Sequence, residues 1–371
     1  MSISYKIVNT LSELNSDWDA FLPQHHHLLI KNLGIVEHAQ LNNLQYRYVY
    51  ACKNNTLIGI AYFQLFNFNY THINFKQENC LKSKFVQFIL PKNLPLLICG
   101  NLFRINQQGF YFANEENNDL IFEAIDAIKK SFPKKPCGIL LKDCIAPITE
   151  SLLKKFKFNF FSSDVTMEFT NNNWKGFDEY LKALTKKYRK RAVKILDHFS
   201  PITIRELDAD EIIANQKNID LLYWNVVNKQ TIKLGTINTS YFYNLKTILK
   251  DKFEFHALYL DDKMVGFYTY IFYEKQMETH YIGLDYAVNH THNTYFGLLF
   301  LGAKKMIEKG FTTLELGRTA KEAKANIGAA PKQIYNYISI KNRIANMALQ
   351  LILKRFNSEE NDKEINRNPF K

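Results

Sequence analysis

Glycine is scarce in this chain, 14 residues among 371, so a glycine at a strand end or in a turn stands out. Cysteine is scarcer still. The five are Cys52, Cys80, Cys99, Cys137 and Cys144, all in the first half and with no C-x-x-C pair. An odd number without that spacing argues against a disulfide framework or a zinc knuckle and for a reducing compartment. No window approaches the roughly 18 apolar residues of a membrane span. The start, "MSISYKIVNT", lacks the basic and apolar regions of a signal peptide. A cytoplasmic protein is expected, with room for peripheral membrane contact. No G-x-S-x-G, Walker A or H-E-x-x-H run occurs. "HHH" at 25–27 does not read as a metal site: consecutive residues cannot all face one ion, and no ligand cluster follows.

Apolar residues, in contrast, are plentiful at 46%, enough for two ordinary cores over this length. The formal net charge is +12 and favours polyanionic partners: RNA, a nucleotide-bearing co-substrate or an acidic membrane surface. No DNA partner is expected. The last residues, "NSEENDKEINRNPFK", are polar and expected to fray.

The chain resembles itself. "YRYVYACKNNTLIGIAYFQLF" (46–66) and "FHALYLDDKMVGFYTYIFY" (255–273) each read as a β-hairpin, with Gly59 and Gly266 in matching places. Each follows a single strand and helical stretches, and each precedes a strand, a helix and a further strand. The order occurs twice, which predicts two related α/β domains, 1–165 and 166–371. Between them, 177–199 reads as one helix. Phe177, Leu181, Leu184, Tyr188, Ala192, Ile195 and Phe199 form its apolar stripe, and Lys182, Lys186, Lys187, Arg189, Lys190, Arg191 and Lys194 fill the rest. That face is either a solvated surface or a cationic arm for phosphates.

A doubled acetyltransferase-like unit, the basic helix "YLKALTKKYRKRAVK" and the segment "LGRTAKEAKANIGA" together resemble the Fem-type branch of the GNAT N-acyltransferase superfamily. The architecture of most of the chain carries the resemblance; at residue level it lies mainly in 177–191 and 281–331. It implies tandem GNAT-like domains, each a mixed, mostly antiparallel sheet flanked by helices. It implies acyl transfer from an acyl-CoA co-substrate to an amine, with charged tRNA as the alternative donor and a small-molecule or lipid-linked acceptor. The tRNA-dependent reaction would act on a peptidoglycan-type precursor. A rival of another class is a non-catalytic module that binds a glycan or lipid. The first domain, without a Gly-Arg-Thr segment after "ILLKDC", reads as degenerate.

In this frame, His280, Tyr281, Asp285 and Glu315 are the candidates for proton transfer. Strand alternation puts Glu278, His280 and Ile282 on one face and Thr279, Tyr281 and Gly283 on the other. Donor contacts fall to Arg318, Lys324, Asn293, Thr294, Gly297, Tyr188, Arg189 and Arg191. The stretch before the second domain's long helix, "AVNHTHNTYFG" (287–297), is read as a loop without the Q/R-x-x-G-x-G/A pyrophosphate motif, which weakens the case for ordinary acetyl-CoA. Thr319 with Glu322 reads as a capping box for a helix of about two turns. Ala320, Ala323 and Ile327 would pack, and Gly328 and Pro331 would end it. Arg318 would then grip an anion, or cap carbonyls; Glu315 would be a base, or half of an ion pair.

Overall fold

The computed structural model describes residues 3–69, 72, 93–133, 135–161, 165–230, 233, 235–347 and 367–371. Cys80 and residues 357–366 of the polar tail lie outside them. The chain divides into two compact units, Met1–Asp164 with Thr231–Ile237 and Ile334–Asp362, and Val165–Gln230 with Asn238–Gln333 and Lys363–Lys371. Each unit is built on a mixed sheet.

The first unit contains β1 (Ile3–Val8), β2 (Gln45–Lys53), β3 (Thr56–Phe68), β4 (Leu94–Cys99), β5 (Phe110–Phe112), β6 (Gly138–Cys144), β7 (Asn159–Phe161) and β15 (Tyr335–Ile340). The order is β1-β2-β3-β4-β6-β15-β7, with β5 on β3. Among the described strands of this sheet, only β4 and β6 run parallel to each other. Helix α1 (Leu120–Ser131) lays Ile121, Phe122, Ile125 and Ile128 into the core with Phe63, Leu97 and Leu141.

The second unit contains β8 (Val165–Thr170), β9 (Thr203–Glu206), β10 (Phe253–Leu260), β11 (Lys263–Phe272), β12 (Gln276–Leu284), β13 (Thr313–Glu315) and β14 (Ala330–Gln333), ordered β14-β8-β13-β12-β11-β10-β9. Again one pair is parallel, here β12 with β13. Helices α4 (Gln216–Val227) and α5 (Thr239–Leu249) pack on β10, β11 and β12. The long helix α7 (Thr294–Glu308) packs on β12 and β13, with α2 (Phe177–Ala183) and α3 (Lys186–Phe199) against it. None of the described helices is long and apolar enough to cross a membrane.

The two hairpins match in detail. Both have two-residue turns, Asn54-Asn55 and Asp261-Asp262, with Asn54, Asn55 and Asp261 at positive φ. In each, the register slips by one residue just before the glycine: Ala51 pairs with Gly59 and Cys52 with Leu57, while Leu258 pairs with Gly266 and Tyr259 with Met264. Bulge and glycine recur together, as the repeat predicts.

The extent of the second unit, its basic helix and its tail differ from expectation. Strand β15, expected within the domain 166–371, belongs to the first unit's sheet, where it pairs with β6 and β7. The stretch 177–199 is two helices, broken at Leu184-Thr185, where both residues are extended. The chain's last residues occupy the break: the Thr185 amide donates to Pro369 O at 2.9 Å, and Lys371 N donates to Ala183 O at 3.2 Å. The described end of the tail is therefore held in place rather than frayed. Phe370 packs beside Trp174 and Tyr180.

Candidate active site

Strands β12 and β13 pair only over Gln276–Glu278 and Thr313–Glu315. Beyond that they separate. Strand β12 continues to Leu284 against β11 alone. The chain after β13 turns to β8, where Leu316 N donates to Met167 O and Met167 N donates to Gly317 O. The result is an opening in the sheet, with His280 and Tyr281 on one side and Leu316–Arg318 on the other.

On the β12 side the register slips, so that Tyr268 pairs with Ile282 but Tyr270 with Thr279. His280 and Tyr281 together oppose Thr269, whose hydroxyl donates to Tyr281 O (3.2 Å) and accepts from Tyr281 N (2.9 Å). This bulge overturns the strict alternation expected of the strand. The His280 and Tyr281 rings lie 4.5 Å apart, and both meet the Tyr241 ring of α5. Tyr223 and Phe242 close around Tyr281.

His280 is held at both nitrogens. Nδ1 lies 2.8 Å from Glu278 Oε1 and Nε2 lies 2.9 Å from the Tyr241 hydroxyl. Glu278 Oε2 accepts in turn from the hydroxyl of Tyr273 at 3.0 Å. The His280 and Glu278 side chains are 2% and 7% exposed, whereas Tyr273 is 37% exposed. A buried imidazole between a carboxylate and a phenol, with a further phenol reaching the surface, is suited to accepting a proton and passing it outward. Tyr241 and Tyr273 carried no sequence signal of this role: one lies in an amphipathic helix, the other at a strand end.

Across the opening, Glu315 Oε1 accepts from the Thr166 hydroxyl and from Gly317 N, the latter at 2.8 Å. Its carboxylate anchors the turn that ends the strand. Lys324 is 4% exposed, and its Nζ donates to Gly317 O at 3.0 Å. Burial lowers its pKa to about 7, against the opposing pull of Glu315. A buried amine that titrates near neutrality beside a cleft is suited to holding a donor's carbonyl or leaving group. Arg318 is half-buried at the same turn.

The expected capping box is not formed. Helix α8 (Lys321–Ala325) is five residues long and starts after Ala320, which has φ +52° and caps without a side-chain hydrogen bond. Glu322 instead accepts from Arg367 at 2.7 Å, and Ala320 is exposed; Lys324, Ala325, Asn326 and Ile327 are buried, and Ala323 packs partly buried against the core, as expected of it. The helix end does follow expectation. Gly328 has φ +98°, its N donates to Ala325 O, and Ala329 N donates to Lys324 O. A side chain there would meet the Phe370 ring at 2.3 Å. Pro331 lies in β14.

The stretch 287–297 is also not a loop. Helix α6 (Tyr286–His292) fills most of it, and Asn293, at φ +52°, joins it to α7. Asp285 caps α6, accepting from Ala287 N at 3.0 Å and from Lys263 at 3.2 Å. Partial burial raises its pKa, but Lys263 and the amides outweigh that and hold it below the usual range. It is thus a helix cap committed to its partners. Gly297 is explained by packing, since a Cβ would meet the Phe199 ring at 2.4 Å. The Thr294 hydroxyl, buried at the first turn of α7, has no hydrogen-bond partner among the described residues. Asn293 contacts His198 at 3.1 Å, and Arg191 stacks on Phe296 at 5.1 Å. Tyr188 is half-buried against the core, and Arg189 is half-buried on the same helix.

Two clusters lie away from the opening. Glu206, Glu254 and His256 converge closely, but Lys246 pairs with Glu206, and Lys305 and Lys309 pair with Glu254. The carboxylates are already charge-compensated, as in a structural network. In the first unit, the parallel pair ends at Cys99 and Leu141, and the buried ion pair Lys142–Asp143 follows at once. Lys142 donates to Arg104 O at 2.6 Å, and Asp143 N donates to Asn336 at 2.8 Å.

No family model matches the chain, and no curated protein matches it in sequence. Solved structures do. That of FemX is 13% identical, with a TM-score of 0.54 over 94% of this chain and 100% of that one. A tandem GNAT protein from the clavulanic acid biosynthesis pathway is 8% identical, with a TM-score of 0.50 over 91% of this chain and 99% of that one. The fold is the tandem GNAT fold, Fem-like in its arrangement.

Proposed function

We propose that the second unit is an N-acyltransferase working at the opening between β12 and β13. The observation that carries this reading is His280, held between Glu278 and Tyr241 where the parallel strands separate. An acceptor amine attacks the donor carbonyl, forming the C–N bond. His280 Nε2, exchanging its bond to the Tyr241 hydroxyl for one to the amine, takes the amine proton, and the thiolate of CoA leaves as the C–S bond breaks. Glu278 stabilises the imidazolium. Lys324, when protonated, offers a charge-assisted hydrogen bond where negative charge develops. The unpartnered Thr294 hydroxyl and the N-terminus of α7 suit an anionic part of the donor. The acceptor is a small-molecule or lipid-linked amine, and the cytoplasm is the expected compartment.

One observation favours the second donor, charged tRNA. Helix α6 stands where a pyrophosphate loop would be expected. The test is thiol release from a panel of acyl-CoAs with an amine-rich small-molecule extract. Release that depends on both donor and extract supports the CoA reading. Transfer seen only with charged tRNA would favour the second.

A further inference from the structure

Helix α3 turns toward solvent a face of nearly one sign. Lys186, Lys187, Lys190, Arg191 and Lys194 are all exposed and, among the described residues, none has an acidic partner. They cover an arc of roughly 140° and roughly 12 Å of helix. Other lysines of this unit are paired, such as Lys246 with Glu206, Lys263 with Asp285 and Lys332 with Glu168.

The arrangement works against the helix itself. Lys186/Lys190, Lys187/Arg191 and Lys190/Lys194 are like-charge neighbours four residues apart. Lys186 and Lys187 also sit in the first turn, which holds no acidic residue, at the positive end of the dipole. An external anionic surface would relieve both penalties at once.

The shape of the face separates two kinds of polyanion. Single-stranded RNA is held by exposed aromatic rings that stack on bases. The arc offers no exposed ring, because Tyr188 and the Phe296 ring beside Arg191 are both half-buried and packed against the core. Double-stranded RNA has a major groove too deep and narrow for a convex helix to enter. A planar anionic surface makes neither demand. Val193, 46% exposed beside the cations, adds an apolar contact suited to a headgroup layer.

We propose that this face of α3 docks the protein on an anionic lipid surface. The proposal is independent of the reaction assigned above. Its test is sedimentation of the full chain with vesicles of phosphatidylcholine alone or with one-third phosphatidylglycerol. Binding is expected only to the second kind and weakens with added salt. Each lost cation should lower partitioning about fivefold, so Lys186→Gln/Lys187→Gln/Lys190→Gln/Lys194→Gln should lose more than about a hundredfold. A control of equal net charge, Lys53→Gln/Lys130→Gln/Lys135→Gln/Lys155→Gln, should bind like the parent. Relief of repulsion predicts that the helix variant folds, which its melting temperature checks. Absence of binding to anionic vesicles, or equal loss in both variants, overturns the proposal. Bulk tRNA that displaces the protein from anionic vesicles at matched phosphate also overturns it, and assigns the face to RNA.

Discussion

The Tyr241 hydroxyl lies 2.9 Å from His280 Nε2, joining helix α5 to strand β12 at the candidate base. Tyr241 is fully buried, and its ring also packs on Tyr281 and Phe242. Tyr241→Phe keeps the ring and deletes the bond. A loss of about 1.4 kcal/mol is expected, roughly tenfold in turnover. Melting temperature should move by only a few degrees. A large drop in stability with normal turnover would make Tyr241 a packing residue.

Lys324 gives a prediction with opposite signs in function and stability. Its folded pKa, about 7, is below the usual lysine value near 10.4, so the unfolded chain binds more protons between those pH values. Its cost to the fold is therefore greatest below about pH 7 and disappears as pH rises toward about 10. Lys324→Met should stabilise the protein at pH 6, by a margin that narrows at pH 9, while transfer falls. Denaturant unfolding at both values checks the sign.

Much of the architecture is legible along the chain because it rests on short-range rules. Two-residue turns, strand alternation and a glycine past a helix end act within a few residues, so both hairpins and Gly328 could be read. The features that differ from expectation depend on distant partners. The slip that turns His280 and Tyr281 together is set by Thr269 on the neighbouring strand. Thr319 and Glu322 have the pattern of a cap, but Arg367 takes Glu322 from 45 positions away. The break at Leu184-Thr185 follows from pairing with residues at the far end of the chain.

Glu254 gives an acid-stability prediction. Burial raises its pKa, but His256 and Lys305 outweigh that and bring it to about 2. A depressed carboxylate stabilises the fold above its unfolded pKa, near 4.3, and that contribution is lost as pH falls through about 2. Glu254→Gln should cost on the order of 2 kcal/mol at neutral pH, discounted because Lys309 is half-exposed. The difference from the parent should shrink below about pH 4. A constant difference down to pH 2 would contradict the role given to its charge.

Gly328→Ala places a Cβ at positive φ and against the Phe370 ring. A destabilisation of about 2 kcal/mol is expected. Thermal unfolding measures it, and a neutral result would mean that the chain end moves aside readily.

In the proposed reaction His280 takes the proton from the acceptor amine. The initial rate of amide formation by His280→Gln, followed by mass spectrometry with the donor and acceptor that the parent uses, tests that role. Glutamine retains hydrogen-bonding capacity toward Glu278 and Tyr241 but cannot act as a base at neutral pH. A fall of about a hundredfold or more in turnover is expected, with melting temperature and donor affinity little changed. Turnover within about threefold of the parent, well inside that expected loss, would contradict it.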